Sequence, residues 1–400
     1  METARPTFVA FFPEARNVHL AKGVGVIPAM MAREQGYAAV LLTFDQGPYP
    51  SAPAVVPEVR LSFLETRWPR LRRLIHRINA FSPALGQKLK PLVVVPAAKR
   101  AFRRERVDAM MLYHFTLETL LVARALRRIQ PRAKIHLKMD IAPDFIERPG
   151  GPWFLRSRAW LTSLALRLVS FDVISVETER SLRFFQDEHP VFRRMRERII
   201  LVPNGVHALP DVPPATERQK LVLHVGRAGS PQKATDVALA AFAKITDKHP
   251  EWKLVLVGPE EPALSAMLER FAAAHPAAAS RLERRGEITD RRALYRAYGE
   301  ASVLLHPARW EAFSNATLEA AAMGLVVVGS DIVSLRELTD GERLGKLAPV
   351  DDIEALALAL DAVFADDMGR PALSAAIAAR TRERYSWSAC LAPLAEALRA

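Results

Sequence analysis

The chain has 400 residues, about half of them hydrophobic and a quarter charged, as is ordinary for a soluble globular protein. This length exceeds what one hydrophobic core usually organises, so two domains are expected. A single cysteine, Cys390, excludes an intrachain disulfide, and the sequence has no run of about 20 apolar residues that could cross a bilayer.

The chain start does not have the pattern of a secretory leader. Met1–Pro6 is not a typical basic n-region, and the apolar run Phe8–Phe12 is too short for an h-region. One cysteine also suits a reducing compartment. We therefore expect a cytoplasmic protein.

The first half alternates predicted strands and helices. A strand at Thr7–Phe12 is followed by a loop with Gly23 and Gly25, a helix ending near Gly36, and a strand at Ala38–Thr43. Further strands are predicted at Val107–Leu112, Lys134–Leu137 and Val173–Val176, with helices between them such as Leu117–Ile129 and Arg156–Val169. This is the doubly wound α/β rhythm, in which ligands bind at the carboxyl ends of strands. The two glycines lack the third glycine of a dinucleotide fingerprint, so an ordinary tight turn is an equal alternative.

The basic charge is concentrated in one segment. Between Arg60 and Arg106 there are thirteen Lys or Arg and two Glu, an excess of eleven out of twelve for the whole chain. Trp68–Ala80 has the spacing of an amphipathic helix with a basic face. We expect this surface to contact an anionic membrane or the acceptor, through Arg70, Arg72, Arg73, Arg77, Arg103 and Arg104. The alternative is a solvated helix face; nucleic-acid binding has no accompanying motif.

The two domains are expected to meet at a Pro-rich polar stretch, Leu209–Glu217, which has the composition of a linker. We assign 1–207 to an N-terminal acceptor-side domain and 218–382 to a C-terminal donor-binding domain. Strands are predicted in the second half at Leu221–Val225, Trp252–Val257, Leu282–Arg285, Ser302–Leu305 and Val326–Ser330. Two doubly wound domains make a cleft between them the default binding site.

One strand–loop–helix junction in the second half has the features of an anion site. Ser314 is a candidate N-cap, and Gly324 a candidate end, for a helix from about Asn315 to Met323. The amides at such a helix start attract anions. Glu311 precedes this start and Glu319 lies within the helix, so the junction offers both phosphate and hydroxyl contacts. A nucleotide-sugar has both kinds of group.

Several motifs in this order resemble the family 4 glycosyltransferases. They are Gly226-Arg227, Lys233, the strand ending at Gly258, Gly286-Glu287-Ile288, Glu311 with Glu319 eight positions later, Asn204-Gly205-Val206, the His19–Gly25 segment and Tyr385-Ser386-Trp387. The resemblance implies the GT-B fold, two Rossmann-like domains facing each other across a cleft, with 383–400 as a helix crossing back to the first domain. It also implies a retaining, nucleotide-sugar-dependent transferase of the hexosyltransferase type, active in polysaccharide or lipopolysaccharide synthesis.

The resemblance assigns roles to individual residues. Arg227 and Lys233, with backbone amides at Ser314 and Asn315, are expected to bind the donor diphosphate. Glu319 is expected to bind ribose hydroxyls, and Glu311 to contact the donor sugar as a catalytic residue. The remaining expected donor contacts are Gly23, Gly25, Glu287, Ile288, Phe313 and Leu318. Covalent attack by Glu311 and proton transfer to the leaving phosphate both remain open, and we favour the second.

The acceptor side is expected to involve Asp140, which follows the strand Lys134–Leu137 where the family often has a His-Asp pair. His136 and His306 are expected to be core strand residues. No Asp-x-Asp pair or His/Cys cluster has metal-ligand spacing, so we expect neither metal nor cofactor, with the nucleotide-sugar as co-substrate. Asp351-Asp352 is predicted to begin a helix instead.

The predicted function is transfer of a sugar to a glycan or lipid-linked glycan, at the inner membrane face and without nucleic-acid partners. One alternative is a nucleotide-sugar epimerase or hydrolase of the same fold. A second is a non-catalytic basic scaffold at the membrane surface, against which Arg227, Lys233, Glu311 and Glu319 argue.

Overall fold

The computed structural model describes residues 5–143, 146, 169–207 and 218–400. The chain divides into two compact units, unit 1 (Met1–Val202 with Cys390–Ala400) and unit 2 (Pro203–Ala389). Most of the helix predicted at 156–169 and the whole linker predicted at 209–217 lie outside the described residues.

Unit 1 contains a parallel sheet with seven strands among the described residues. They are β1 (Thr7–Phe11), β2 (Ala38–Thr43), β3 (Val59–Phe63), β4 (Ala109–Tyr113), β5 (Lys134–Lys138), β6 (Val173–Val176) and β7 (Ile199–Leu201). Their order is β3-β2-β1-β4-β5-β6-β7, and Val9 on β1 pairs in register with Val40 and Met110 on either side. The order turns back after β1, as in doubly wound folds.

Helices join and cover these strands. They are α1 (Asn17–Leu20), α2 (Gly23–Gln35), α3 (Ala52–Val55), α4 (Pro69–Phe81), α5 (Pro83–Leu89), α6 (Pro91–Arg104), α7 (Leu117–Ile129) and α8 (Glu179–Arg183). A π-helical turn at Phe184–Glu188 and a 3₁₀ segment at Phe192–Arg198 precede β7. Apart from β3 and β5, the strands are apolar along nearly their whole length, as expected where helices bury both faces of a parallel sheet.

Unit 2 repeats the arrangement with six parallel strands in its described residues, 203–207 and 218–389. They are β8 (Gln219–Val225), β9 (Lys253–Val257), β10 (Leu282–Gly286), β11 (Ala301–His306), β12 (Val326–Ser330) and β13 (Gly345–Ala348), in the order β10-β9-β8-β11-β12-β13. Counted from the first strand of this unit, the order is 3-2-1-4-5-6, which is the strand order of the dinucleotide-binding fold. The two faces of this sheet carry separate apolar clusters, and in one of them the Trp252 and Phe364 rings stack 3.9 Å apart.

The helices of the second half follow the same alternation. They are α9 (Thr235–Ile245), α10 (Ala263–Ala274), α11 (Pro276–Ala279), α12 (Arg291–Glu300), α13 (Asn315–Ala322), α14 (Val333–Leu338), α15 (Ile353–Ala365), α16 (Arg370–Arg384) and α17 (Trp387–Arg399). Residues of α17 from Cys390 onward belong to unit 1. Asp352 caps α15 by accepting a hydrogen bond from the Ala355 amide at 2.9 Å, which confirms the predicted helix start.

The predicted fold class, two doubly wound α/β domains, is confirmed. The strands β2, β6 and β12 and the helix α7 have the predicted bounds. The strand β3 was not predicted, because Val59–Phe63 has an arginine and a serine among its apolar residues and reads as part of the basic segment. The basic helix α4 begins at Pro69 rather than Trp68, since proline is favoured in the first helical position.

Buried histidines occupy both sheets as predicted. His136 and His306 are fully buried on β5 and β11. Across the described part of the chain, no helix is both long enough and apolar enough to cross a membrane.

Candidate functional site

The first loop of the unit 2 site follows β8, where the strand ends at Val225. Gly226 has a φ of +155°, and a Cβ placed there would lie 2.9 Å from Cε of Lys233. A Cβ on Gly258, at the end of the neighbouring β9, would collide with the carbonyl oxygen of Gly226. Gly258 therefore has no room for a side chain, and the positive φ of Gly226 favours glycine where the Lys233 side chain packs over it.

The second loop, between β11 and α13, is hydrogen-bonded to the first. The Arg309 amide donates to the Gln232 carbonyl at 2.9 Å, and Nε2 of Gln232 donates to the Trp310 carbonyl at 3.1 Å. The Arg309 side chain also donates to the Pro231 carbonyl at 2.8 Å and forms ion pairs with Asp236 and Asp351. These bonds fix the distance between the loop that carries Lys233 and the loop that carries Glu311.

Lys233 and Glu311 form an ion pair between Nζ and Oε1 at this junction. Both side chains are only 12–13 % exposed, so the pair is shielded from water more than a surface salt bridge. Beneath it lies His306, whose Nε2 is 3.9 Å from the same carboxylate oxygen. Burial, followed by the positive charge of Lys233, lowers the pKa of His306 well below its ordinary value, so the ring is neutral.

Arg227 is the exposed cation of the site. Its guanidinium donates to Oε1 of Gln232 at 2.9 Å and lies 3.6 Å from a carboxylate oxygen of Glu261. The side chain is 54 % exposed. The first loop thus holds the guanidinium group of Arg227, and more than half of the side chain remains exposed.

The helix α13 begins where the sequence predicted. The Ser314 hydroxyl accepts a hydrogen bond from the Thr317 amide at 3.4 Å, and the helix runs from Asn315 to Ala322, one residue short of the predicted end. A capped helix start leaves further amides unpaired and carries the positive end of the helix dipole. Ser314 and Asn315 thus place that positive end on the same loop as Glu311.

Glu319 is held by residues that sequence reasoning did not single out for a role. Arg291, the first residue of α12, donates to Oε1 of Glu319 at 2.8 Å, and the Tyr298 hydroxyl lies 3.5 Å from Oε2. Burial alone would lower the pKa of Arg291, but the Glu319 carboxylate and Tyr295 outweigh it and raise that pKa. The sequence signal that could have identified Arg291 is its position directly after the helix cap Asp290, in the segment that follows the carboxyl end of β10.

Four other predicted donor contacts have different degrees of accessibility. Glu287 is exposed, and Ile288 is partly buried against an apolar cluster. Phe313 is buried, its ring centre 5.3 Å from that of Tyr385, and its carbonyl accepts a hydrogen bond from Asn204 at 3.3 Å. Leu318 is 1 % exposed, so its side chain belongs to the core of unit 2 rather than to a ligand surface.

The predicted glycine-rich loop of unit 1 is the first turn of α2. Gly23 and Gly25 are both buried there. A Cβ on Gly25 would collide with the backbone of Leu20, so this glycine permits the close packing of α1 on α2. A Cβ on Gly23 would lie 3.1 Å from the Tyr113 hydroxyl. The prediction of a glycine-rich loop was wrong in its secondary structure, because the glycines serve close packing within a helix.

A buried polar cluster lies at the carboxyl ends of β4, β5 and β6. Nζ of Lys138 donates to Oε1 of Glu177 at 2.6 Å, with both side chains 2–3 % exposed. The Tyr113 hydroxyl is buried and has no hydrogen-bond partner among the described residues. Asp140 is exposed two positions beyond Lys138. Burial, and then the charge of Asp140, raises the pKa of Glu177. Sequence reasoning missed Glu177, although it too directly follows a strand.

The six arginines predicted to form a basic surface fall into two groups. Arg72 lies 4.2 Å from the centre of the Phe44 ring, and burial lowers its pKa. Arg104 forms an ion pair with Glu65 at 2.9 Å. The other four are exposed and, within the described part of the chain, make no ion pair; they are Arg70, Arg73, Arg77 and Arg103. The freely exposed charge is therefore concentrated on α4.

No group of three or more His, Cys, Asp or Glu side chains is placed to hold a metal ion among the residues that the structure describes. The expectation that the reaction needs no metal rests on the sequence resemblance and remains a prediction.

Comparison with known proteins identifies the second unit. Residues 219–366 match the family model described as "Glycosyl transferases group 1". The matched segment begins at β8 and ends beyond α15, so it contains Arg227, Lys233, Arg291, Glu311 and Glu319.

Two relatives share this similarity in sequence. The chain is 32 % identical over 195 residues to a phosphatidyl-myo-inositol mannosyltransferase of Mycolicibacterium smegmatis, covering 47 % of this chain and 48 % of that one. It is 34 % identical over 164 residues to the lipopolysaccharide core biosynthesis mannosyltransferase LpsB of Rhizobium meliloti, covering 39 % and 44 %. The matches thus span less than half the length of either relative.

The fold as a whole has solved counterparts. One is Anabaena Alr3699/HepE, crystallised with UDP and glucose, with a TM-score of 0.69 over 99 % of this chain and 100 % of that one. The sequence identity is 14 %, so this likeness shows the fold alone. The two parallel-sheet domains therefore have the GT-B fold.

Proposed function

We propose that this chain, whose residues 219–366 form a glycosyl transferases group 1 domain, transfers a sugar from a nucleotide-diphosphate-sugar to a glycan or lipid-linked glycan. The observation that carries the proposal is the Lys233–Glu311 pair, held between two hydrogen-bonded loops beside Arg227 and the start of α13. Cations, helix amides and a carboxylate at one junction match the phosphate and hydroxyl groups of such a donor. The relatives named as mannosyltransferases support the same class of reaction.

The donor diphosphate would be bound by Arg227, Lys233 and the amides at Ser314 and Asn315. Charge builds on this diphosphate as the sugar–phosphate bond breaks, so donors fixed around it stabilise the transition state. Lys233 is ion-paired with Glu311 in this structure. We infer that donor binding moves the ammonium group from the carboxylate to the phosphate, because both anions compete for one cation.

The hydroxyl groups of the donor would be bound by two carboxylates. Glu311, released from Lys233, would accept hydrogen bonds from the sugar. Glu319 would accept them from the ribose, with its carboxylate oriented by Arg291 and Tyr298. The base would lie against the backbone at Glu287 and Ile288.

The transfer step follows from this arrangement. The bond between the anomeric carbon and the phosphate oxygen breaks, and a bond from the acceptor hydroxyl to the same carbon forms on the same face. The acceptor proton passes to the departing diphosphate, which is the base, and the product retains the anomeric configuration. On this route Glu311 contacts the sugar without forming a covalent bond.

The acceptor would bind at unit 1. Asp140 is exposed at the carboxyl end of β5, the edge at which doubly wound sheets bind ligands. We assign Asp140 the role of the acceptor-side acid. A lipid-linked acceptor would lie at a membrane, and the exposed arginines of α4 provide a basic surface for anionic headgroups.

The donor site is tested with the full chain and a panel of UDP-, GDP- and ADP-sugars. At least one donor should raise the unfolding temperature, and Glu311→Gln should lower the transfer rate at least 100-fold while remaining folded. Glu354→Gln, at an exposed glutamate of α15, is the matched control and should transfer normally. Wild-type turnover by Glu311→Gln would reject the site, and turnover of the donor without any acceptor would favour the hydrolase alternative.

The membrane surface is tested separately by sedimentation with anionic vesicles. The triple variant Arg70→Gln/Arg73→Gln/Arg77→Gln should lose binding, and wild-type binding should weaken as salt rises because exposed charges are screened. The control is Arg60→Gln, which removes one basic charge that is already paired with Glu105. Absence of wild-type binding at low salt would contradict a membrane role.

A further inference from the structure

A large apolar groove lies on unit 1. Its volume is about 970 Å³, near the upper limit of about 1,000 Å³ that is usual for small-molecule sites. The groove is formed by the start of α4, the start of α6 and one residue of α7. Its apolar lining includes Trp68, Leu71, Leu92, Val95, Pro96 and Leu121.

Large apolar side chains are exposed in this groove. Trp68 is 51 % exposed and Leu92 is 54 % exposed, although apolar groups of this size are usually buried. Contiguous exposed apolar surface with a polar rim marks an interaction site. A tryptophan at its edge is typical of surfaces that contact the boundary between lipid and water.

The rim of the groove is positively charged. Arg67 and Arg70 line it, both are exposed, and neither forms an ion pair with any residue in the described ranges. The helix α4 begins at this groove with a proline in its first turn, and that turn contains no acidic residue. The rim therefore combines two guanidinium groups with the positive end of α4, which favours an anion such as phosphate.

We propose that this groove binds a single anionic lipid, with its hydrocarbon chain against Trp68, Leu92 and Val95 and its phosphate at Arg67 and Arg70. The inference rests on the proposed function and names the lipid part of the acceptor as the occupant. The groove lining is apolar apart from the two arginines. A phosphate attached to a hydrocarbon chain is complementary to both parts.

The binding test uses the full chain and three soluble probes below their micelle concentrations. Dodecyl phosphate has both the chain and the anion, dodecyl maltoside has the same chain with an uncharged head group, and inorganic phosphate has the anion alone. Binding is measured by equilibrium dialysis. We expect saturable binding of one dodecyl phosphate per chain, with at least tenfold weaker binding of each of the other two probes.

Two exposed leucines provide a matched pair of variants. Leu92→Glu introduces a carboxylate into the groove and should weaken dodecyl phosphate binding at least tenfold. Leu74→Glu makes the same change on α4 at a leucine of nearly equal exposure, 53 %, that is not part of the groove lining, and should bind like wild type. The double variant Arg67→Gln/Arg70→Gln should lose the preference for dodecyl phosphate, so that dodecyl phosphate and dodecyl maltoside bind with about equal affinity.

The outcomes separate this inference from the proposed function. Donor binding at unit 2 is measured on the same samples by thermal shift, and neither leucine variant should alter it. The groove proposal is overturned if wild type shows no saturable binding, if Leu92→Glu and Leu74→Glu weaken binding equally, or if dodecyl maltoside binds as tightly as dodecyl phosphate. Each of these results, with donor binding intact, leaves the transferase proposal standing.

Discussion

The ammonium group of Lys233 and the carboxylate of Glu311 are ion-paired across two loops of unit 2, and each side chain is almost buried. The sequence predicted that Lys233 binds the donor diphosphate and that Glu311 contacts the donor sugar. It did not predict that the two residues pair with each other. The pairing means that the two charges neutralise each other. On the proposed function, a donor would bind by offering the lysine a diphosphate in place of Glu311, so diphosphate and sugar contacts are expected to form together.

Removing the lysine should therefore affect donor binding more than folding. Lys233→Met keeps most of the side-chain volume that lies over Gly226 but leaves Glu311 without its cation. We expect at least a tenfold loss of affinity for the diphosphate-containing donor, which corresponds to about 1.4 kcal/mol or more. Calorimetric titration with the best donor of the panel measures this change. Lys244→Met, at an exposed ion pair of the same unit, is the control and should bind normally.

Arg291 should act as a positioning residue for Glu319. Arg291→Ala removes the ion pair that orients the Glu319 carboxylate, which is 12 % exposed. The donor should then find Glu319 in a less favourable orientation. We expect KM for the donor to rise about tenfold with kcat nearly unchanged, because the ribose contact is made equally in the ground state and the transition state. Arg291→Lys should restore part of the affinity. A fall in kcat at constant KM would contradict this assignment.

Unit 2 should lose stability in mild acid through its buried histidines. Burial lowers the pKa of His224 to about 4 and that of His306 well below its ordinary value. The unfolded chain therefore binds protons below about pH 6.5 that the folded chain does not, and stability falls as the pH falls. Between pH 7 and pH 5 each histidine should cost about 2 kcal/mol.

His306→Leu isolates this effect. The variant should show a pH 7 to pH 5 loss of stability smaller than that of wild type by about 2 kcal/mol in chemical denaturation. The comparison cancels groups of opposite sign such as Glu118, whose pKa burial raises to about 7. Equal losses in the two proteins would show that His306 does not remain neutral in the folded state.

Gly258 should tolerate no side chain. Its φ is +131°, and a Cβ there would collide with the carbonyl oxygen of Gly226. Gly258→Ala combines backbone strain with overpacking, each worth about 1–3 kcal/mol, so the unfolding free energy should fall by about 3 kcal/mol. Gly341→Ala has a φ of +61° with nothing within 4 Å of the new Cβ, and should cost only about 1–2 kcal/mol. Urea denaturation of both variants tests the difference.

The sequence by itself determined the fold class and most of the strands. Runs such as Ala38–Thr43 and Val326–Ser330 are apolar except at their carboxyl ends and are bounded by glycines or polar loops, a pattern that depends only on local order along the chain. The cap at Ser314 and the helix start at Asp352 were equally readable, since a cap bonds to an amide three residues away. The basic character of 60–106 also followed from composition alone.

Only the tertiary structure decided which charged groups meet. Lys233 and Glu311 are 78 positions apart, Arg291 and Glu319 are 28 apart, and Lys138 and Glu177 are 39 apart. Such pairs form because parallel strands bring their carboxyl ends to one edge of a sheet, and no local pattern encodes which two residues become neighbours. The same reason explains why the sequence did not show that Arg72 contacts the Phe44 ring or that Arg104 pairs with Glu65.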